Sequence, residues 1–371
     1  MNAMTANLPP LGIGDLILPT PIIQGGMGVA ISLSGLAAAV ANEGGLGVIA
    51  TAGIGFAEPD LVTDFRAANT RALRKEIRKA RANSSGAIGV NILCALTNYE
   101  DLARAAMEEG ADAILSGAGL PMNLPSYRPE GCRTKLIPIV SSGRAANIIA
   151  RRWAERFDCL PDAFVVEGPM AGGHLGFKLE QLTDPAYALD KLVPEVLEVA
   201  RSLEARHGRR IPVIAAGGIY TGEDIRRFLA MGAAGVQMAT RFVTTFECDA
   251  STAFKEAYVA AGENDMVIIK SPVGMPGRAI RNQFTDDVEQ GEKKPYRCTF
   301  HCIITCDVEN SPYCIANALL CARRGRFKHG FAFAGSNAWR ATGIVSVHEV
   351  FDALREEFRQ ATAAFLAAVP A

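Results

Sequence analysis

The sequence is short of net charge, of long apolar runs and of internal repetition. Its 38 Lys and Arg against 39 Asp and Glu leave a formal charge of −1. That balance argues against a nucleic-acid or membrane-surface role, which would need a basic face. No apolar run approaches the roughly 18 residues of a membrane span. The N-terminus also lacks the basic-then-apolar pattern of a secretory leader. Nine cysteines, an odd number without such a leader, read as reduced thiols of a cytoplasmic protein rather than a disulfide framework. There are no low-complexity tails. What is present is 371 residues with 49% hydrophobic side chains, enough for a large core and the usual length of an α/β barrel carrying an insertion.

Strand and helix patterns alternate through most of the chain. Short apolar runs at 20–24, 48–51, 87–91, 113–116, 136–140, 163–166, 212–216 and 235–238 are mostly separated by helical stretches such as 33–42, 59–81, 99–109, 145–157, 190–206 and 222–231. Continuous apolar strands suit a parallel sheet covered on both faces. Eight such units predict a (β/α)8 TIM barrel, with a doubly wound open sheet as the alternative. Beyond Thr245 the rhythm is lost. A helix is expected at 251–261, irregular chain at 264–310, and helices at 315–323 and 347–366. The domain reading is therefore a barrel of residues 1–247 and 346–371, with 248–345 as a cysteine-bearing cap after strand eight.

The chemistry gathers at the strand ends. The run Ala163 to Val166 leads into Glu167, Gly168, Pro169, Met170, Ala171, Gly172, Gly173 and His174. Glycines there let main chain approach a ligand, and His174 can donate or accept a proton near neutral pH. Glu167 also has an ion-pairing or capping reading. Gly217 and Gly218 follow the seventh strand, and Gln237, Met238, Ala239, Thr240 and Arg241 end the eighth. Loops after strands seven and eight of such barrels bind phosphate through backbone N–H groups. Thr240 and Arg241 add a hydroxyl and a charge. Gln24, Gly25, Gly26 and Met27 put small residues where a planar ring would need close main-chain approach, and Asn91 offers an amide to a ring edge. Together these features predict a phosphorylated cofactor held over the barrel mouth.

Two other patterns point elsewhere and are weaker. Gly45, Gly47 and Ala50 fit G-x-G-x-x-A, but they stop a helix and precede a strand, the reverse of a dinucleotide turn. Cys298, Cys302, Cys306 and Cys314, with His301 nearby, have spacings that match neither zinc pairs nor common iron–sulfur runs. Thiols buried in the cap are expected, and no metal.

With these residues assembled, the chain resembles the nitronate monooxygenase family, formerly 2-nitropropane dioxygenases, which includes FMN-containing enoyl-ACP reductases and NAD(P)H:quinone reductases. The resemblance runs from about Pro21 to Phe284. Gln24 to Met27, Gly44 to Gly47, Gly89 to Asn91, Ser116 to Pro121, Glu167 to Gly176, Ala216 to Ile219 and Gln237 to Phe242 carry it. The loop at Gly335 and Ser336 and the final helix also look like the family's closing segment. The resemblance implies FMN at the mouth, its phosphate on Gly217, Gly218 and Gln237 to Thr240, with Asn91, Glu167 and Gly172 beside the flavin. It further implies His174 as the catalytic residue and a flavin-mediated oxidation of nitronates with O2 as the reaction. Glu167 and His174 resemble the reductase branch. The loop of Ser116, Gly117, Ala118 and Gly119 lacks the histidine that nitronate oxidisers carry there. The second expectation is thus an NAD(P)H-dependent reductase of an enoyl thioester or quinone. A third, of another class, is a barrel that binds a phosphate ligand without turnover. The partners expected are a small-molecule substrate and, as an option, a second copy in a homodimer.

Overall fold

The computed structural model describes residues 7–292, 294 and 296–368. Eight strands carry the barrel: β1 (Ile22–Gln24), β2 (Gly47–Ala50), β3 (Ile88–Leu93), β4 (Ala113–Gly117), β5 (Lys135–Val140), β6 (Phe164–Glu167), β7 (Val213–Ala216) and β8 (Gly235–Met238). Each pairs in parallel with the next, from β2 round to β8, and β8 pairs with β1. The seam between β1 and β2 is closed by a parallel bridge between Ile23 and Leu46. Gln24 N donates to Leu46 O across it at 3.0 Å. The sheet is therefore a closed TIM barrel, as the eight apolar runs predict.

The strands bury both faces because they are apolar on both. One set of side chains, including Ile23, Val48, Leu115, Ile137, Val165 and Ile214, packs inside the barrel. The larger core lies between strands and the outer helices. The interior is sealed at one end by an antiparallel hairpin of Leu11–Ile13 and Leu16–Leu18, whose Leu11, Ile13 and Leu18 join the inner set. Sequence patterning missed this hairpin, since three-residue strands are too short to show a period. The crossover from β4 to β5 holds only a 3₁₀ turn, Leu124–Tyr127, where the others hold α-helices. The helix Val347–Ala368 completes the outer ring, burying Val350, Phe351, Leu354 and Phe358.

The stretch 264–310 is not wholly irregular. Met266–Lys270 and Pro276–Ile280 form an antiparallel hairpin, and its second strand pairs with the two-residue strand Gly173–His174. A helix, Gln283–Glu289, follows, capped by Asn282. Pro276 and Gly277 disguise the second strand, because both residues are poor strand formers. Their strand sits against the loop after β6, a partner that lies about 100 residues away and leaves no local trace. The cap thereby has its own small core of Val273, Ala279, Phe284, Tyr313, Ile315, Ala318 and Phe331.

Candidate active site

A cavity of about 300 Å³ lies at the carboxyl ends of the barrel strands, under the cap. In barrels this is the end at which loops of many strands can converge on one ligand. Gly25, Gly26 and Met27 line it after β1, Asn91 from β3, and Gly117 and Ala118 from β4. Glu167, Gly172, Gly173 and His174 enter from β6 and its loop, Gly217 and Gly218 from β7, and Gln237, Met238, Ala239 and Thr240 from β8. The geometry thus brings together every site residue expected from sequence except two.

Gln24 does not reach the cavity. Its fully buried side chain accepts from Val48 N at 2.9 Å and donates to Gly25 O at 2.5 Å, so it braces the β1–β2 seam. Arg241 is turned outward by the helical turn Thr240–Val243. Its guanidinium donates to Glu357 and to Tyr220 O, and it does not supply charge to the mouth.

One end of the cavity is built of main chain. Gly217 and Gly218 have φ of 93° and 84°, the left-handed region that a Cβ disfavours. A Cβ would also meet Gly168 O at 2.8 Å from Gly217 and Met170 Cβ at 2.8 Å from Gly218. The backbone amides of Gly217, Gly218, Ile219 and Thr240 make no hydrogen bond among the described residues. Converging amides of this kind form an anion-binding concavity. The wall beside them comes from the C-terminal loop: Asn337 Nδ2 donates to Gly218 O at 2.6 Å, and Ser336 N donates to Met170 O at 3.1 Å.

The loop after β6 is held rigidly. Arg278, on the second strand of the cap hairpin, is 9% exposed and donates to Pro169 O at 2.6 Å and Ala171 O at 2.7 Å. A Cβ on Gly172 would come within 2.5 Å of the Ala334 carbonyl carbon, so this loop fits under 334–337 only with glycine. Among the described residues, Arg278 has no carboxylate partner. Its role is to fix carbonyls.

His174 Nε2 lies 2.7 Å from Ser271 Oγ, and its ring meets Phe333 edge-on with centroids 4.9 Å apart. Burial lowers its pKa to about 4, so the imidazole is neutral at physiological pH. Glu167 shows the opposite effect: burial raises its carboxyl to about 7, and it makes no hydrogen bond or ion pair among the described residues. Glu167, Ala216 and Gln237 are in register across β6, β7 and β8. Gln237 Oε1 is buried without a hydrogen-bond partner. An unpaired buried acceptor of this sort costs free energy unless a ligand satisfies it.

The cap closes the opposite side. Ile303 bridges Leu96, and Thr97 N donates to Cys302 O at 3.2 Å. Phe300 stacks on Phe65 with ring centroids 5.5 Å apart. Cys302 lines the cavity, its thiol pushed up to about 12 by burial. The nine cysteines are free, and no group of metal-ligating side chains is assembled among the described residues. Ser271, Arg278, Phe333 and Asn337 are site-building residues that sequence reading missed. Each belongs to the cap, where no strand–helix rhythm marks a mouth position.

A family model described as nitronate monooxygenase matches residues 13–115 and 94–357. A probable nitronate monooxygenase of Staphylococcus aureus is 31% identical over 306 residues, covering 75% of this chain and 79% of that one. The chain belongs to the nitronate monooxygenase family. It is an oxidoreductase of the nitronate monooxygenase type, and the proteins of this family are flavoenzymes. A carboxyl-CoA dehydrogenase of Mycobacterium tuberculosis, acting on a hydroxylated octahydroindene, is 30% identical over 273 residues, 74% of this chain and 66% of that protein. FabK from Thermotoga maritima has a TM-score of 0.72 at 29% identity, covering 94% of this chain and 96% of its own. A nitroalkane oxidase from Streptomyces ansochromogenes shares the fold with a TM-score of 0.71 at 22% identity, covering 94% and 98%. Among the described residues no helix is long and apolar enough to cross a membrane.

Proposed function

We propose that this family member is an FMN-dependent oxidoreductase that oxidises nitronates with O2 above the barrel mouth. The observation that carries the reading is the pair of unlike ends in one cavity. Unpartnered amides at Gly217, Gly218, Ile219 and Thr240 suit a terminal phosphate. Small residues at Gly25, Gly26 and Gly172, together with the orphaned Gln237 Oε1, suit a flat ring bearing hydrogen-bond donors. The residues present therefore fit FMN, and a flavin with a single phosphate needs no second phosphate pocket. When bound, FMN supplies the electron transfer.

The chain's own residues do the rest. Asn91 and Gln237 would hold the ring in the mouth, and Gly172, without a side chain, would leave room for it beside the loop after β6. His174, neutral and braced by Ser271, orients substrate or moves a proton; its Nδ1 has no hydrogen bond among the described residues. Phe333, Tyr258 and Ile303 exclude water from the reacting face.

One observation favours a second reading, reduction of an enoyl thioester or quinone with NAD(P)H. The loop Ser116–Gly119 brings no acid or base to the cavity: Ser116 is buried, donating to Ile92 O at 3.1 Å and lying 2.8 Å from Tyr99 Oη. A relative acting on a CoA ester is consistent with it. An anaerobic spectral titration separates the two. Bleaching of the flavin by a nitronate alone supports the oxidase, and bleaching by NADH or NADPH supports the reductase.

A further inference from the structure

The floor of the mouth holds a carboxyl group with no hydrogen-bond or ion-pair partner among the described residues. Glu167 ends β6, and its register partner is Ala216 on β7, itself the partner of Gln237 on β8. In a parallel sheet, residues on one rung point to the same face, so Glu167 and Gln237 flank the small Ala216 about 10 Å apart, two strand spacings. All three line the cavity. The rung therefore presents two polar side chains to one edge of any flat ligand.

Among the described residues, no cation faces that rung. The other titratable groups lining the cavity are His174 on the loop after β6, Tyr258 on a cap helix and Cys302 on the cap segment. From β1, β3, β4, β5, β7 and β8 come only glycines, amides, a hydroxyl and apolar side chains. The two nearby arginines are committed elsewhere. Arg278 holds Pro169 O and Ala171 O, and Arg241 pairs with Glu357. His174 is neutral, so it offers a carboxylate no charge.

We propose that Glu167 faces the cofactor as a neutral, protonated carboxylic acid, and that loss of this proton weakens flavin binding. The inference rests on FMN occupying the mouth. A neutral carboxyl donates one hydrogen bond to an acceptor on the ring edge, while Gln237 Oε1 accepts from a donor on the same edge. The ionised form can only accept, and it adds a further negative charge to a site that already holds a phosphate with no cation beside it among the described residues. Burial of the carboxyl in a cavity that holds no countercharge among the described residues favours the neutral form, consistent with the upward displacement of its titration.

The test is the pH dependence of flavin retention. Holoenzyme is equilibrated at pH 7, 8 and 9 at several dilutions, and released FMN is measured by its fluorescence. Working above pH 7 keeps the FMN phosphate, whose second ionisation lies near 6, in one state. The wild-type dissociation constant rises about tenfold or more from pH 7 to pH 9. Glu167→Gln, which keeps the shape and the donor, holds FMN with a flat profile, and at pH 9 it binds more tightly than wild type. His174→Ala keeps the wild-type slope. Tight FMN binding with a flat wild-type profile would overturn the assignment of Glu167 alone, as would a Glu167→Gln variant that retains the wild-type slope. Folded protein, judged by circular dichroism, that binds no FMN at any pH would overturn the FMN reading itself.

Discussion

His174 and Glu167 occupy the same cavity and respond to burial with opposite sign. The histidine loses its proton more readily than in water, to about pH 4, and the carboxyl holds its own up to about pH 7. For His174 the unfolded chain takes up the proton first as pH falls below 6.5, so folded stability is lost between about 6.5 and 4. For Glu167 the folded state keeps a proton that the unfolded chain releases above 4.5, so stability is lost as pH rises toward 7. In wild type the two trends oppose each other. Replacing Glu167 with Gln leaves the histidine unopposed, and urea denaturation of the flavin-stripped protein should then show stability rising by about 2 kcal/mol from pH 5 to pH 7. A variant whose stability tracks wild type over that range would contradict the assignment. On the catalytic side, His174→Ala should retain the flavin while turnover falls about 100-fold or more, the usual scale of a positioned proton-transfer group. Unchanged turnover would remove His174 from the mechanism.

At the scale of elements, the site depends on loops pinned by partners far away in sequence. Gly218 sits where any side chain meets Met170, in a backbone conformation that glycine alone takes easily. Gly218→Leu should therefore lose FMN binding with the barrel still folded, a result read from flavin content and circular dichroism on the same sample. Arg278 fixes the loop after β6 through two carbonyls. Arg278→Met strands both acceptors and should cost about 2–4 kcal/mol in denaturant midpoint experiments; a loss below 0.5 kcal/mol would show that the loop stands without it. These elements also mark the limit of what the sequence discloses. The strand ends were legible because each apolar run breaks into glycines or a lone polar residue, and Gly217, Gly218 and Gln237 do line the cavity. Gln24 and Arg241 were misplaced because a side chain's direction at a strand end is set by its hydrogen-bond partner, here Val48 N and Glu357. Arg278 was invisible because its strand contains Pro276 and Gly277 and meets the site only through its pairing with the distant Gly173–His174.

At the scale of the molecule, two closures turn a barrel into a reaction vessel. The N-terminal hairpin fills one end with Leu11, Ile13 and Leu18, and the cap covers the other with Ile303, Tyr258 and Phe333. Leu18→Ala opens a void in a fully buried position and should lower stability by about 2–4 kcal/mol, with flavin content unaffected under native conditions. The arrangement leaves a large cavity beneath the cap, and the reaction depends on what fills it. The absorbance spectrum of the purified protein, with its chromophore released by denaturation and weighed by mass spectrometry, tests this most directly. The prediction is a yellow protein carrying one FMN per chain; a colourless protein that takes up no FMN, or one whose released chromophore is not FMN, would contradict it.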